Sequence, residues 1–166
     1  IEEYGVYNCE QLSHLTIGDN VTTIADCAFA FSKITSITIP ESVTTFSSGN
    51  PFLGCDDLKE FKGKFATDDG LCLIVNGTLQ AFAIGSGATK YTIPDSVTKI
   101  GYSAFALCDS LTSIIIPDRV TKIGGWAFSG CSSLTSVIIG NSVTSIGDYA
   151  FNYCSSLTKV YCTHTT

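Results

Sequence analysis

Methionine is absent from all 166 residues, histidine occurs twice, tryptophan once, and charged side chains make up only 14% of the chain. With two histidines, general-base chemistry has little to draw on. Nine Lys and Arg against fifteen Asp and Glu leave a net charge of -6, and clustered cations of the kind nucleic-acid phosphates require are missing. No apolar run approaches the roughly 18 residues that span a bilayer. Disorder is excluded from the other side, because the chain is 45% hydrophobic and disordered chains are hydrophobe-poor and charge-rich. The length suits one domain with an extended core.

What the sequence does have is repetition. Ile146-Gly147-Asp148-Tyr149-Ala150-Phe151-Asn152-Tyr153-Cys154-Ser155-Ser156-Leu157 matches Ile123 to Leu134 and Ile100 to Leu111. The Phe of this segment falls at Phe29, Phe52, Phe105, Phe128 and Phe151, with Val6 in the slot of a degenerate first copy. The steps are 23, 23, 53, 23 and 23, and the odd one is 23 plus 30. We read a tandem array with one 30-residue insertion. The chain begins at Ile1, in mid-repeat and without an initiator Met, which predicts further coils before it and any export signal or anchor outside it.

Each unit reads V-T-x-I-x-x-x-A-F-x-x-C-x-x-L-x-x-I-x-I-P. Leu-x-x-Ile-x-Ile alternates with period two and is β-branched, which predicts a short strand. Pro40, Pro94 and Pro117 follow it and, lacking an N–H, end the ladder. Ala-Phe-x-x-Cys is too short for a stable helix and is expected as one tight helical turn. The predicted fold is a mainly β solenoid, with one short parallel strand per coil of about 23 residues and irregular or short helical turns opposite. A single such coil cannot offset its own chain entropy, whereas stacked coils share a core and pair their strands.

The insertion, about residues 61–89, interrupts coils spanning 1–60 and 90–166 of one solenoid over residues 1–166. Within it, Leu71-Cys72-Leu73-Ile74-Val75, then Asn76-Gly77, then Thr78-Leu79-Gln80-Ala81-Phe82-Ala83 predict a β-hairpin, since Asn-Gly supplies the two positive φ angles of a type I′ turn. Asp68-Asp69-Gly70 and Gly85-Ser86-Gly87 punctuate its ends.

The repeat resembles the BspA-like leucine-rich repeats, found in surface proteins of anaerobic gut and oral bacteria and of some parasitic protists. Ile93-Pro94-Asp95-Ser96-Val97-Thr98-Lys99-Ile100-Gly101 and on to Ala104-Phe105 is a specific signature. The insertion, with Phe61-x-Gly63-Lys64-Phe65-Ala66 and Asp69-Gly70-Leu71-Cys72, is similar to the enlarged repeat of the gut Bacteroides-type members. The resemblance covers essentially the whole chain. It implies a curved, exported, surface-displayed solenoid that is not an enzyme and adheres to host matrix or cell-surface proteins.

Eight cysteines invite a disulfide or metal reading. Cys9, Cys55, Cys108, Cys131 and Cys154 share one repeat slot, with Ser32 in the second copy. Equivalent residues stack, so these thiols form a column about 4.8 Å apart, close enough to bridge. Their parallel Cβ vectors favour free structural thiols instead. No C-x-x-C pair exists to hold zinc, and Cys162-Thr163-His164 reads as a frayed tail rather than a metal site. No cofactor is called for. Cys27, in the slot of Ser103, Trp126 and Tyr149, is expected to be exposed and the most reactive thiol. Asp56-Asp57 and Asp68-Asp69 adjoin glycines and read as turns, and Asn20-Val21-Thr22 and Asn76-Gly77-Thr78 match glycosylation sequons that repeat consensus and hairpin turn already explain.

The predicted concave face is the place to look for binding. Its outward residues are His14 and Thr16, Ser36 and Thr38, Glu60 and Lys62, Lys90 and Thr92, Ser113 and Ile115, Ser136 and Ile138, then Lys159 and Tyr161. The second half stacks Ile115, Ile138 and Tyr161 into an exposed apolar strip, which suggests an interface, although β-branched residues also simply suit a sheet surface. A second strip of Tyr4, Trp126 and Tyr149 lies opposite and suits an interface or sugar stacking. The leading functional expectation is a non-enzymatic, cell-surface protein-binding or adhesion module. The alternatives are a stalk presenting another domain and a glycan-binding surface.

Overall fold

A computed structural model describes residues 1–162. Among them thirteen strands follow in chain order: β1 (Thr23–Ile24), β2 (Ser36–Ile39), β3 (Thr45–Phe46), β4 (Glu60–Gly63), β5 (Cys72–Val75), β6 (Thr78–Phe82), β7 (Lys90–Thr92), β8 (Lys99–Ile100), β9 (Ser113–Ile116), β10 (Lys122–Ile123), β11 (Ser136–Ile139), β12 (Ser145–Ile146) and β13 (Lys159–Cys162). A single 3₁₀ turn, Ile84–Ser86, is the helical content of the described residues. The mainly β solenoid expected from the repeat is what forms.

The Leu-x-x-Ile-x-Ile strands pair in parallel in the order β7–β9–β11–β13, with Ile114 opposite Tyr91 and Val137, and β2 pairs β4 in the same sense. Ile114 and Ile116 of β9 are buried while Ile115 between them is exposed, the period-two pattern of a half-buried strand. Beyond the strand expected per coil, the V-T-x-I segment makes a second, two-residue strand. These two-residue strands form β1–β3 and β12–β10–β8, and β8 pairs onward to the longer strands β6 and β5 in one sheet. Threonine recurs ahead of most of the repeat strands for a hydrogen-bonding reason. Thr112 and Thr135 donate their hydroxyls to the carbonyls of Thr89 and Thr112 at 2.8 and 2.9 Å, and Thr121 and Thr144 do the same to Thr98 and Thr121 at 3.2 Å.

The Ala-Phe-x-x-Cys arc is not a helical turn. Its N–H groups alternate between two uses: Ser129 and Cys131 bond back to Trp126 and Phe128, while Trp126, Phe128 and Gly130 donate to Asp148, Ala150 and Asn152 of the next coil. That alternation needs left-handed backbone at Trp126 (φ 57°) and Gly130 (φ 76°). A helix would consume all of these donors internally and leave the next coil unpaired.

Inside the arc the phenylalanines stack. Ring centroids are 5.2 Å apart for Phe29–Phe52, 4.8 Å for Phe82–Phe105 and 5.0 Å for both Phe105–Phe128 and Phe128–Phe151. Phe82 therefore occupies the repeat's Phe slot, and Leu79 pairs with Ile100 as a short-strand residue does. The structure draws the boundary of the insertion differently from the 61–89 reading: β4 already pairs β2 over residues 60–63, and the hairpin's second strand belongs to a coil of its own. The excess is carried by the segment between β4 and β6.

The hairpin β5–β6 is antiparallel and buried on both faces. Leu73, Ala81 and Ala83 pack into the N-terminal core with Phe29, Phe52 and Phe61. Cys72, Leu79 and Phe82 pack into the C-terminal core with Phe105 and Phe128. It divides the hydrophobic interior in two, and the long-strand ladder is interrupted at the same place, between β4 and β7.

Candidate functional site

On the long-strand face, register pairing sets Ile138 between Ile115 and Tyr161, and Ser136 between Ser113 and Lys159. Ile115 is 41% exposed and Tyr161 52%, with Ile138 half-buried between them. Ser113 and Ser136 are half-buried and Lys159 is exposed. The sequence thus brings the six residues expected on this face together on three neighbouring strands. A shallow cavity of about 410 Å³ adjoins the strip, lined by Ile115, Ile138, Asp95, Asp118 and Arg119. Sequence reading passed over the three charged residues, whose signal was their place just after the proline that ends each strand. Asp118 accepts a hydrogen bond from the Asn141 N–H at 2.9 Å.

The other half of the face is polar and separate. Glu60 and Lys62 pair with each other at 2.7 Å, and Thr38 lies opposite Lys62. The break between β4 and β7 cuts these residues off from Lys90 and Thr92, so the outward series is not one continuous surface. His14 lies outside any strand and accepts or donates one bond with the Ser13 hydroxyl at 2.8 Å.

Of the second strip, Trp126 and Tyr149 are in contact, their rings 4.7 Å apart and tilted by 33°. Tyr149 is 61% exposed and Trp126 half-buried. Tyr4 does not join them. Its ring packs edge-on against Tyr7 at 5.3 Å, at the far end of the array, with Cys27 its neighbour in the next coil.

All eight cysteines are free. Cys55, Cys108 and Cys131 are buried in the expected column, and Cys9 and Cys154 are half-buried at its ends. The thiols of Cys55, Cys131 and Cys154 donate to the carbonyls of Phe29, Phe105 and Phe128 in the preceding coil, each at 3.1 Å. Burial raises the Cys55 thiol pKa and pushes that of Cys108 up to about 11. The hydrogen bond with Cys154, together with burial, raises Cys131, and the same contact lowers Cys154. Cys27 is a correction: it is half-buried, and burial with the nearby Asp26 and Glu3 carboxylates raises its pKa, which disfavours the reactive thiolate. Cys162 is the exposed thiol of the described residues, and His164, its partner in the weak C-x-H pattern, lies outside them.

One carboxylate of each Asp-Asp pair has a partner within the fold. Asp57 meets Lys33 at 3.6 Å, and Asp69 receives the Thr67 hydroxyl, the Leu71 N–H and the Tyr91 hydroxyl at 2.5, 2.9 and 3.2 Å. No group of His, Cys, Asp and Glu that could hold a metal exists among the described residues.

The sequence profile of the BspA type leucine-rich repeat region matches residues 1–66 and 79–166, in 6 copies. The chain belongs to the BspA-type leucine-rich repeat family. Solved relatives agree with that assignment. A leucine-rich repeat protein from Eubacterium ventriosum is 26% identical with a TM-score of 0.70, covering 85% of this chain and 39% of its own. A leucine-rich cell surface protein from Faecalibacterium prausnitzii is 25% identical with a TM-score of 0.72, covering 95% and 55%. The pneumococcal vaccine antigen PcpA, 17% identical with a TM-score of 0.61 over 89% of this chain and 49% of its own, shares the fold. The BspA-type chain described here thus spans less than two thirds of each of these proteins. A comparison with curated proteins gives no match. Leucine-rich repeat solenoids of this family are in general non-catalytic.

Proposed function

We propose that this chain is the ligand-contacting part of a non-enzymatic bacterial surface protein, and that its long-strand face adheres to host matrix or cell-surface proteins. The observation that carries the reading is the ladder of Ile115, Ile138 and Tyr161 on β9, β11 and β13, exposed at Ile115 and Tyr161 and half-buried at Ile138. Large apolar side chains stacked on a solvated sheet cost solubility and gain nothing for the core, which already has Ile114 and Val137 beneath them. Ser113, Ser136 and Lys159 would form a polar rim and Tyr161 an anchor. Surface display is supported by the family and by the description of the Faecalibacterium relative. Trp126 and Tyr149 form a smaller secondary patch on the arc side.

The test is a surface-binding screen of the monomer against matrix proteins, mucins and polysaccharides, with Ile115→Asp/Ile138→Asp run beside it. A saturable protein hit lost in the double variant supports the reading. A hit retained by the folded double variant removes this face, and a blank from well-folded protein favours a stalk that presents another part of the native chain.

A further inference from the structure

The break in the short-strand ladder opens a groove on a face separate from the Ile115 strip. It runs between β3 with the two serines after it on one side and β6, β8 and β10 on the other, and has a volume of about 510 Å³. That is within the range of small-ligand sites, about 300–1,000 Å³.

Its lining is unlike the rest of this acidic chain. Lys99 and Lys122 lie directly opposite each other across β8–β10. Like charges in that relation repel and destabilise the pair of strands. Neither lysine has an ion-pair partner among the described residues, and no Asp or Glu lines the groove. By contrast, the cavity beside the hairpin carries Asp68 and Asp69, and the one beside Ile115 carries Asp95 and Asp118. Tyr102 rests against Gly125, where an added Cβ would sit 3.3 Å from its ring, yet it stays 49% exposed at the groove. Gln80 is 5% exposed and gives its amide hydrogens to the carbonyls of Ser47 and Gly49 at 2.8 and 2.5 Å. Its Oε1 accepts no hydrogen bond among the described residues and is a free acceptor in the groove wall.

We infer that this groove binds an acidic saccharide, a uronic or sialic acid unit. Such a ligand uses every one of these features. Its carboxylate pairs with the ammonium groups that the two neighbouring strand positions supply. A ring face lies on the aromatic Tyr102, and a sugar hydroxyl donates to Gln80 Oε1. An acidic peptide would satisfy the lysines equally, so the ring face of Tyr102 is what favours a saccharide and what the test must separate.

The experiment is calorimetric titration of the chain with tetragalacturonate, 3′-sialyllactose, neutral lactose and a poly-glutamate peptide, at low and at physiological salt. The expected result is saturable binding of an acidic saccharide with a Kd of about 1 mM or tighter, weakening with salt, and no matching heat from lactose. Lys99→Ala/Lys122→Ala and Tyr102→Ala should each weaken it by about tenfold or more. The lysine variant should keep or raise the urea midpoint, because repulsion is relieved, so lost binding cannot be lost folding. Three outcomes overturn the inference: no heat from either acidic saccharide at saturating concentration, undiminished binding by the lysine double variant, or poly-glutamate binding that matches the saccharides and survives Tyr102→Ala.

Discussion

The thiol of Cys131 donates to the carbonyl oxygen of Phe105, 3.1 Å away and 26 residues earlier, and that same oxygen accepts the Cys108 N–H at 3.2 Å. The thiol is thus a staple between consecutive coils, tying a turn to the one it stacks on. Serine, equally small and able to donate, fills the slot at Ser32, where its hydroxyl turns instead to the Phe29 carbonyl of its own coil at 2.6 Å.

Cys131→Ser should therefore fold with a modest loss, and Cys131→Ala should cost about 1 kcal/mol more by removing the donor. Urea unfolding of the three proteins under reducing conditions measures the difference. Equal midpoints for the serine and alanine variants would remove the staple.

Raised thiol pKa values make stability fall in alkali. A buried thiol whose pKa is raised in the folded state contributes fully below its unfolded value and loses that contribution as pH climbs through the folded one. For Cys108 the window runs from the ordinary thiol range, 9.0, up to about 11, and Cys55 and Cys131 shift in the same direction. The urea midpoint should hold from neutrality to the start of that window and drop across it, with a shallower drop in Cys108→Ala. A flat profile to the top of the window would contradict the assignment.

Gly124 lies against the backbone of Gly101 in the preceding coil: a Cβ would stand 2.7 Å from the Gly101 carbonyl carbon, with no flexible side chain to yield. Gly124→Ala should destabilise by about 3 kcal/mol or more. Gly18, with nothing within 4 Å, is the internal control, and Gly18→Ala should change stability by less than about 1 kcal/mol. Thermal unfolding of both variants decides it.

Tyr153 holds φ at 56° in the slot that Gly54 and Gly130 fill elsewhere, and its side chain is largely in solvent. Tyr153→Gly should be neutral or stabilise by up to about 1 kcal/mol, since the left-handed penalty is removed. A loss comparable to a buried-core truncation would mean the ring has a structural contact that its exposure hides.

The repeat makes the core legible from the amino acids alone, because a stacked coil must put the same apolar slots at the same places. Ile100, Phe105, Leu111 and Ile114 needed only period and alternation to be placed inside, and Ile115 and Ile138 outside. The arc was harder. Its backbone is set by hydrogen bonds to the neighbouring coil, such as Phe128 N–H to Ala150, and a local reading of Ala-Phe-x-x-Cys cannot contain them. Phe82 was hidden for a different reason. Ala81-Phe82 lies 23 residues before Ala104-Phe105 and carries the repeat signal, but it also ends a strong hairpin pattern, and in the fold it is both. The groove of Lys99 and Tyr102 had no sequence signature, since Ser47 and Lys122 come to line one cavity only once the hairpin has parted the ladder between them.

The buried hairpin also changes what the array is mechanically. Coils in a uniform solenoid exchange strain only with their neighbours and unzip one after another from either end. Here a two-sided wall stands between Phe61 on one flank and Phe105 on the other, and the ladder of long strands stops at it. The molecule is two springs in series joined by a bulkhead. A pull along its axis should extend it in two cooperative events, and a defect introduced in one spring should leave the other wound.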